Sequence, residues 1–275
     1  MLSHTLQPGE ILAAYDRVSQ LYPRIPSMSA WRSFEFAGYR RFQLIEPVLD
    51  IGCGDGQFFR LLWPDVKIVE GVDFNPATAE AARHSGVYRS VHAAPADKMP
   101  IHESAYASAF ANCSLEHMDN LHGVLNAIAR NLRPGAPFVL SVVTDKFIEW
   151  QMLPLLIEKS GAPDLARRLA QDHIDYHNLV NALPAEVWAQ KIQAAGFEIE
   201  EHIPIVPELS SRLILFFDQL WHVSQPGGEL GSQIHAQLER FPNFRAAYRR
   251  ILRGVIEMET GTSGYSGAIF KAVRK

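Results

Sequence analysis

Only two cysteines, Cys53 and Cys113, occur in the 275 residues. That is too few for a disulfide framework and suits a reducing compartment. There is no Lys/Arg-rich block and no acidic tail, and the formal net charge is −4. A dedicated nucleic-acid binder would show a basic excess, so nucleic acid is not an expected partner. No apolar run approaches the ~20 residues that span a bilayer. Met1 to Glu10 lacks a basic region followed by an apolar core. A cytoplasmic protein without stable membrane insertion is therefore expected. Internal repeats and low-complexity tracts are also missing. What remains, 47% hydrophobic and 20% charged residues, describes a globular chain long enough to bury a substantial core.

The most informative run lies between Val48 and Phe59, VLDIGCGDGQFF. Val48 to Ile51 reads as a short buried strand. Gly52, Gly54 and Gly56 follow at alternate positions, and Phe58, Phe59, Leu61 and Leu62 begin a helical pattern. A glycine-rich turn between strand and helix lets backbone approach a ligand and aims helix N-terminal N–H groups at it. A dinucleotide fingerprint would place its third glycine at position 57, where Gln57 stands. Around this turn, strands alternate with helices. Strands are expected at 66–72, 87–93, 105–112 and 138–143, and helices at 57–63, 76–84 and 121–132, the last stopped by Arg133-Pro134-Gly135. This rhythm predicts an α/β fold with a doubly wound, mostly parallel sheet. Helices are also expected at 10–22, 30–45, 184–195 and across 145–180 and 211–256. Strands at 197–206 and 267–273 complete the pattern.

Together these elements resemble the class I S-adenosylmethionine-dependent methyltransferases, of the Rossmann-like, small-molecule type. The likeness runs over residues 46–143, 183–206 and 265–275. It implies seven strands in the order 3-2-1-4-5-7-6, the last antiparallel, and S-adenosyl-L-methionine as cofactor, leaving as S-adenosyl-L-homocysteine. In this resemblance Asp50, Gly52, Cys53, Gly54 and Gly56 form the loop at the methionine end. Asp73 takes the ribose hydroxyls, because a carboxylate can accept two hydrogen bonds from a vicinal diol, and Phe74 follows it. Asp73 can also cap the helix opened by Pro76. Either Asp97 or the backbone around Ala96 serves the adenine. Asn112 and Cys113 end the fourth strand, where an Asn/Asp-Pro-Pro-aromatic signature for base amino groups is lacking. Arg32, Tyr15 or Tyr22 is a candidate to close over the methionine end.

His117 is the first candidate for a general base, followed by His173, His177 and Tyr176. His173 and His177 share a helix face and could hold a metal, but local spacing offers no clear third ligand, and no metal is expected. The whole chain, 1–275, reads as one methyltransferase domain with an N-terminal helical segment at 1–45. Insertions at 144–182 and 207–264 both leave the ligand-binding edge of the sheet, so they are expected to form a helical cap. Trp150, Phe216, Phe217, Trp221, Phe241 and Phe244 suggest a pocket for a small apolar or aromatic acceptor. The alternative is a cofactor-binding protein of regulatory or structural role. The acceptor atom and oligomeric state are not legible.

Overall fold

A computed structural model describes residues 2–259 and 261–275. Its main sheet contains β1 (Leu2–Ser3), β2 (Val48–Ile51), β3 (Val69–Asp73), β4 (Ser90–Ala93) and β5 (Ser108–Asn112). It is completed by β6 (Pro137–Val143), β7 (Phe197–Pro207) and β10 (Tyr265–Arg274). A separate small hairpin pairs β8 (Ser224–Gln225) with β9 (Gly228–Glu229). The spatial order is β1-β7-β10-β6-β5-β2-β3-β4. β2 to β6 pair in parallel, and β10 runs antiparallel to both β6 and β7.

Seven of these strands stand in the expected order. The eighth is a correction: Leu2 and Ser3 pair with Glu201 and His202 at the sheet edge. Two exposed residues carry no alternation for a pattern to reveal.

The helices are α1 (Pro8–Leu21), α2 (Pro26–Tyr39), α3 (Gln57–Leu62), α4 (Pro76–His84), α5 (Leu121–Asn131) and α6 (Lys146–Glu149). There follow α7 (Met152–Lys159), α8 (Pro163–Tyr176), α9 (Ala185–Ala194), α10 (Glu208–Trp221), α11 (Leu230–Leu238) and α12 (Phe244–Met258). α2 starts and stops earlier than the apolar stripe at 30–45 suggests. Pro26 supplies a pre-set φ for its first turn. The stretch 211–256 is not continuous helix either. Gly227 and Gly228, at φ +99° and +116°, turn the chain through the small hairpin between α10 and α11.

Strand alternation divides the core. Val48, Phe110, Val139 and Ile269 belong to one buried cluster with Phe34 and Tyr39 of α2. Leu49, Ile51, Ala109 and Phe270 belong to the other, with Leu125 and Ile128 of α5 and Trp188 of α9. α2 therefore covers one sheet face and also packs against α10. Gly38 lets it approach closely, since a Cβ there would lie 2.4 Å from Ile269 Cδ1. On the other face, Trp188 is fully buried and its Nε1–H donates to the Val143 carbonyl at 3.0 Å.

Candidate active site

The glycine turn is held in place by what its glycines cannot carry. Gly52 and Gly56 have φ of +68° and +77°, a region open to glycine but strained for other residues. A Cβ on Gly52 would lie 2.4 Å from Ser114 Cβ, and one on Gly56 would lie 2.5 Å from Tyr88 Cε2. Gly54, at φ +56°, faces open space. The first and third glycines thus permit packing, while the second leaves room beside the turn.

Asp73 ties this turn to the end of β3. Its Oδ2 accepts from Gly54 N–H at 3.1 Å and its Oδ1 from Asn75 N–H at 3.0 Å. A carboxylate oxygen has two acceptor positions, so capacity remains on both. Asn75 caps α4, its side chain accepting from the N–H groups of Ala77 and Thr78.

A cavity of about 350 Å³ opens beside these groups, lined by Gly52, Asp73, Phe74, Ala96, Asp97 and His117 among others. Phe74 is 70% exposed, a ring free to cover a planar ligand at the rim. Asp97 accepts from Asn120 Nδ2 at 3.1 Å.

Asp50 and Cys53 lie outside this cavity. The Asp50 carboxylate accepts from Tyr88 O–H at 2.7 Å, and Tyr88 also lies 3.1 Å from the Cys53 carbonyl. Burial pushes the Asp50 carboxyl up to about 7, with Tyr88 opposing and Asp73 adding to the rise. Asp50 here fixes the glycine turn from behind. Burial, with the charges of Asp50 and Asp73, also raises the Cys53 thiol, which disfavours the reactive thiolate.

A second cavity, about 190 Å³, is lined by Trp31, Arg32, Cys113, Glu116, His117, Val143, Phe147, His177, Ile214 and Asp218, with other residues of α2 and α10. His117 lines both cavities. It sits on a 3-10 turn, Leu115–His117, and its Nδ1 is 3.2 Å from the Asn178 carbonyl. Beside it Glu116 is fully buried, and neither carboxyl oxygen has a hydrogen-bond partner. Burial raises this carboxyl, with His117 opposing most strongly. Asn112 Oδ1 is likewise buried and unpartnered. Cys113, at φ +42°, places its Sγ 2.9 Å from Glu35 Oε1. Glu35 in turn pairs with Arg32 at 2.7 Å, and the Arg32 guanidinium lies 5.3 Å over the Phe58 ring.

His173 and His177 meet a residue that local spacing does not reveal. Asp218, more than forty positions onward on α10, contacts both imidazoles. Burial alone would raise its carboxyl, but hydrogen bonds from His173, His177 and His222 outweigh that and hold it well below its usual range. Tyr176 is on the far side, lining a third cavity of about 270 Å³ with His173 and His222, and its O–H donates to Glu229. Glu35, Glu116 and Asp218 are the site residues that sequence reasoning did not single out for a role. Each owes its position to contacts across the fold.

The pattern of the chain matches the methyltransferase-domain family over residues 15–202. The chain belongs to that family, and its fold is that of the class I S-adenosylmethionine-dependent methyltransferases. Sterol 4-C-methyltransferase strm-1 of Caenorhabditis elegans is 32% identical over 98 residues, 34% of this chain and 29% of that relative. The match thus spans less than a third of the curated relative.

Among solved structures, an S-adenosylmethionine-dependent methyltransferase of Thermotoga maritima aligns over 96% of this chain and 100% of its own, at 16% identity and TM-score 0.54. The [4+2]-cyclase SpnF aligns over 90% and 81%, at 19% identity and TM-score 0.53. At such identities the likeness is one of fold, and the cyclase shows that this fold serves more than one chemistry.

The residues present suit the family's cofactor. Gly54 leaves open space beside the turn, Asp73 retains acceptor capacity, and Asn112 offers an unpartnered oxygen. Among the described residues no helix is long and apolar enough to cross a membrane.

Proposed function

We propose that this chain transfers a methyl group from S-adenosylmethionine to a small, largely apolar or aromatic molecule. One observation carries the reading: His117 borders both the cavity beside Asp73 and the cavity under α10, where Trp31, Val143, Phe147 and Ile214 face a polar edge. Methyl transfer needs a donor chamber and an acceptor chamber that meet at a single point, because the reacting atoms must lie in line.

When bound, S-adenosylmethionine supplies an electrophilic methyl group on a positively charged sulfur. Asp73 accepts hydrogen bonds from the ribose hydroxyls, and Ala96, Asp97 and Phe74 enclose the adenine. Gly52, Gly54 and Asn112 offer backbone and amide groups to the methionine portion, and Arg32 offers its cation to the carboxylate. On the acceptor side, Trp31, Val143, Phe147 and Ile214 exclude water from the reacting atoms. Glu116 takes a proton from an acceptor that must lose one. Its burial and unpartnered oxygens favour this role, and His117 is the second candidate.

The acceptor cavity, at about 190 Å³, lies below the ~300–1,000 Å³ of sites that enclose drug-sized ligands. This favours a compact acceptor, or one of which only the reacting end is enclosed. A sterol in the manner of the nematode relative would have to extend beyond it.

Calorimetric titration with S-adenosylmethionine and NAD, followed by a labelled-methyl screen over metabolite pools, tests the reading. Binding of the first alone and a labelled product are expected. Failure to bind S-adenosylmethionine would refute it, and binding without any product would point to the regulatory role.

A further inference from the structure

The imidazoles of His173 and His177 and the carboxylate of Asp218 converge on one point. The two Nε2 atoms stand 3.1 Å apart, and Asp218 Oδ2 lies 2.9 Å from the first and 2.7 Å from the second. Protons alone satisfy this triangle poorly. With both nitrogens protonated, two N–H dipoles crowd each other as they aim at one oxygen. With one protonated, the other nitrogen's lone pair faces the carboxylate. A cation at the centre removes both conflicts. Zinc bonds of ~2.0–2.2 Å to nitrogen and oxygen, at angles between octahedral and tetrahedral, set ligand atoms about 2.8–3.4 Å apart. Two of the observed edges, 2.9 and 3.1 Å, fall within that range, and the third, 2.7 Å, lies just below it.

We propose that His173, His177 and Asp218 form a binding site for a divalent transition-metal ion, zinc by preference, whose open coordination position faces the acceptor cavity. Two imidazoles and one carboxylate are the donors such an ion takes in sites that keep a position free, whereas magnesium and calcium prefer oxygen alone. The ligands are held before any ion arrives. The His173 and Asp218 side chains are 2% and 11% exposed, His177 25%. The His173 ring stacks on Phe147 at 5.6 Å and 6°. His222 Nε2 lies 3.6 Å from the other Asp218 oxygen, where it orients the carboxylate as outer partners of metal ligands do.

His177 and Asp218 also line the acceptor cavity with Glu116 and His117. A metal there offers its free position to a hydroxyl, carboxylate or phosphate oxygen of the acceptor. That role rests on the methyl-transfer reading; occupancy of the site does not.

The test is zinc and cobalt(II) titration of the full chain, stripped with chelator and free of methyl donor, read by competition with a chromophoric chelator and by cobalt absorption. Ferrous iron under anaerobic conditions forms a second arm, since the same donor set suits it. About one zinc per chain is expected, with visible cobalt bands of a low-coordinate site. Affinity should fall at least ~100-fold in His177→Gln and Asp218→Asn and ~10–100-fold in His222→Asn. Calorimetric S-adenosylmethionine binding by each variant reports that its fold is intact. Tighter binding of ferrous iron than zinc would overturn the choice of ion. Zinc binding no tighter in the parent than in a His173→Gln/His177→Gln double variant would overturn the site, leaving a hydrogen-bonded brace between α8 and α10. Neither result bears on whether the chain transfers methyl groups, which is scored separately by labelled product.

Discussion

The ion pair between Arg32 and Glu35 gives the sharpest test of how the two chambers are joined. Glu35 has no exposed side-chain surface, and Arg32 has 17%. Glu35 Oε2 meets the guanidinium at 2.7 Å, while Oε1 accepts from Ser141 Oγ at 2.7 Å and Cys113 Sγ at 2.9 Å. Arg32→Met leaves a buried carboxylate with only neutral partners. Breaking a buried pair on one side costs about 3–5 kcal/mol, and the two surviving donors put this case near 3 kcal/mol. Glu35→Gln keeps an acceptor for Ser141 and strands a cation that still reaches the cavity, at about 2 kcal/mol. The double variant carries neither charge and should lose only about 2 kcal/mol, far less than the roughly 5 kcal/mol sum, for a coupling of about 3 kcal/mol. Urea denaturation at low and high salt measures it. The coupling should survive salt, because buried pairs are screened little, and Arg32→Met should melt roughly 6–12 °C lower. Arg32→Met should also weaken S-adenosylmethionine binding more than Glu35→Gln does. Additivity within about 0.5 kcal/mol would refute the pair as an electrostatic unit.

Three further outcomes follow from the same geometry. Gly52→Ala meets Ser114 Cβ at 2.4 Å in a strained backbone, so it should lose about 1–3 kcal/mol of stability. Gly54→Ala meets no neighbouring atom but is still strained at φ +56°, so it should lose about 1 kcal/mol, less than Gly52→Ala, and lower cofactor affinity; equal stability losses in paired denaturation and calorimetry would contradict this. Glu116→Gln should lower kcat about 10²–10⁴-fold with cofactor affinity nearly unchanged, and an unaltered rate would remove Glu116 as the base. Because the folded Asp50 carboxyl is raised to about 7, the native state holds a proton that the unfolded chain releases near pH 4. This contribution is full below about pH 4 and is lost as pH rises to about 7, by a few kcal/mol. The stability of the parent relative to Asp50→Asn, followed by denaturation across that window, should decline, and a flat difference would contradict the buried Asp50–Tyr88 pair.

The sheet order and the glycine turn were legible because both are written locally. The Val48–Ile51 run into Gly52, the helix opened by Pro76 and the Arg133-Pro134-Gly135 stop each act within a few residues. Asp73, His117 and the His173–His177 pair were legible too, but the acids Glu35, Glu116 and Asp218 were not. Glu35 sits in a helix whose stripe predicts packing, and it becomes a site residue only because α2 crosses β6 near Ser141. Asp218 reads as one acid on an amphipathic helix until α10 is laid against α8. Periodicity reports which face of a helix is buried, not which helix it will meet. Tyr88 is the same kind of omission: its hydroxyl donates to Asp50 Oδ2, a support that nothing in the local pattern announces.

The Glu116–His117 turn is tied to the segment after α8. The Glu116 carbonyl accepts from the N–H groups of Val180 and Asn181 at 2.9 and 2.8 Å, and His117 Nδ1 meets the Asn178 carbonyl. These partners lie in the segment after α8, one to four residues past His177. The turn between the chambers is therefore fixed by the same stretch that carries the imidazole cluster. Because Asp218 draws that cluster to α10, the contacts run in series, from α10 through the histidines to residues 178–181 and then to Glu116. A change in the cluster should reach Glu116 and His117 by moving this backbone. It follows that Asp218→Asn should alter kcat and acceptor KM more than S-adenosylmethionine affinity, since Gly52 follows β2 and Asp73 ends β3, and of that path only His117 and Asn178 border the donor cavity.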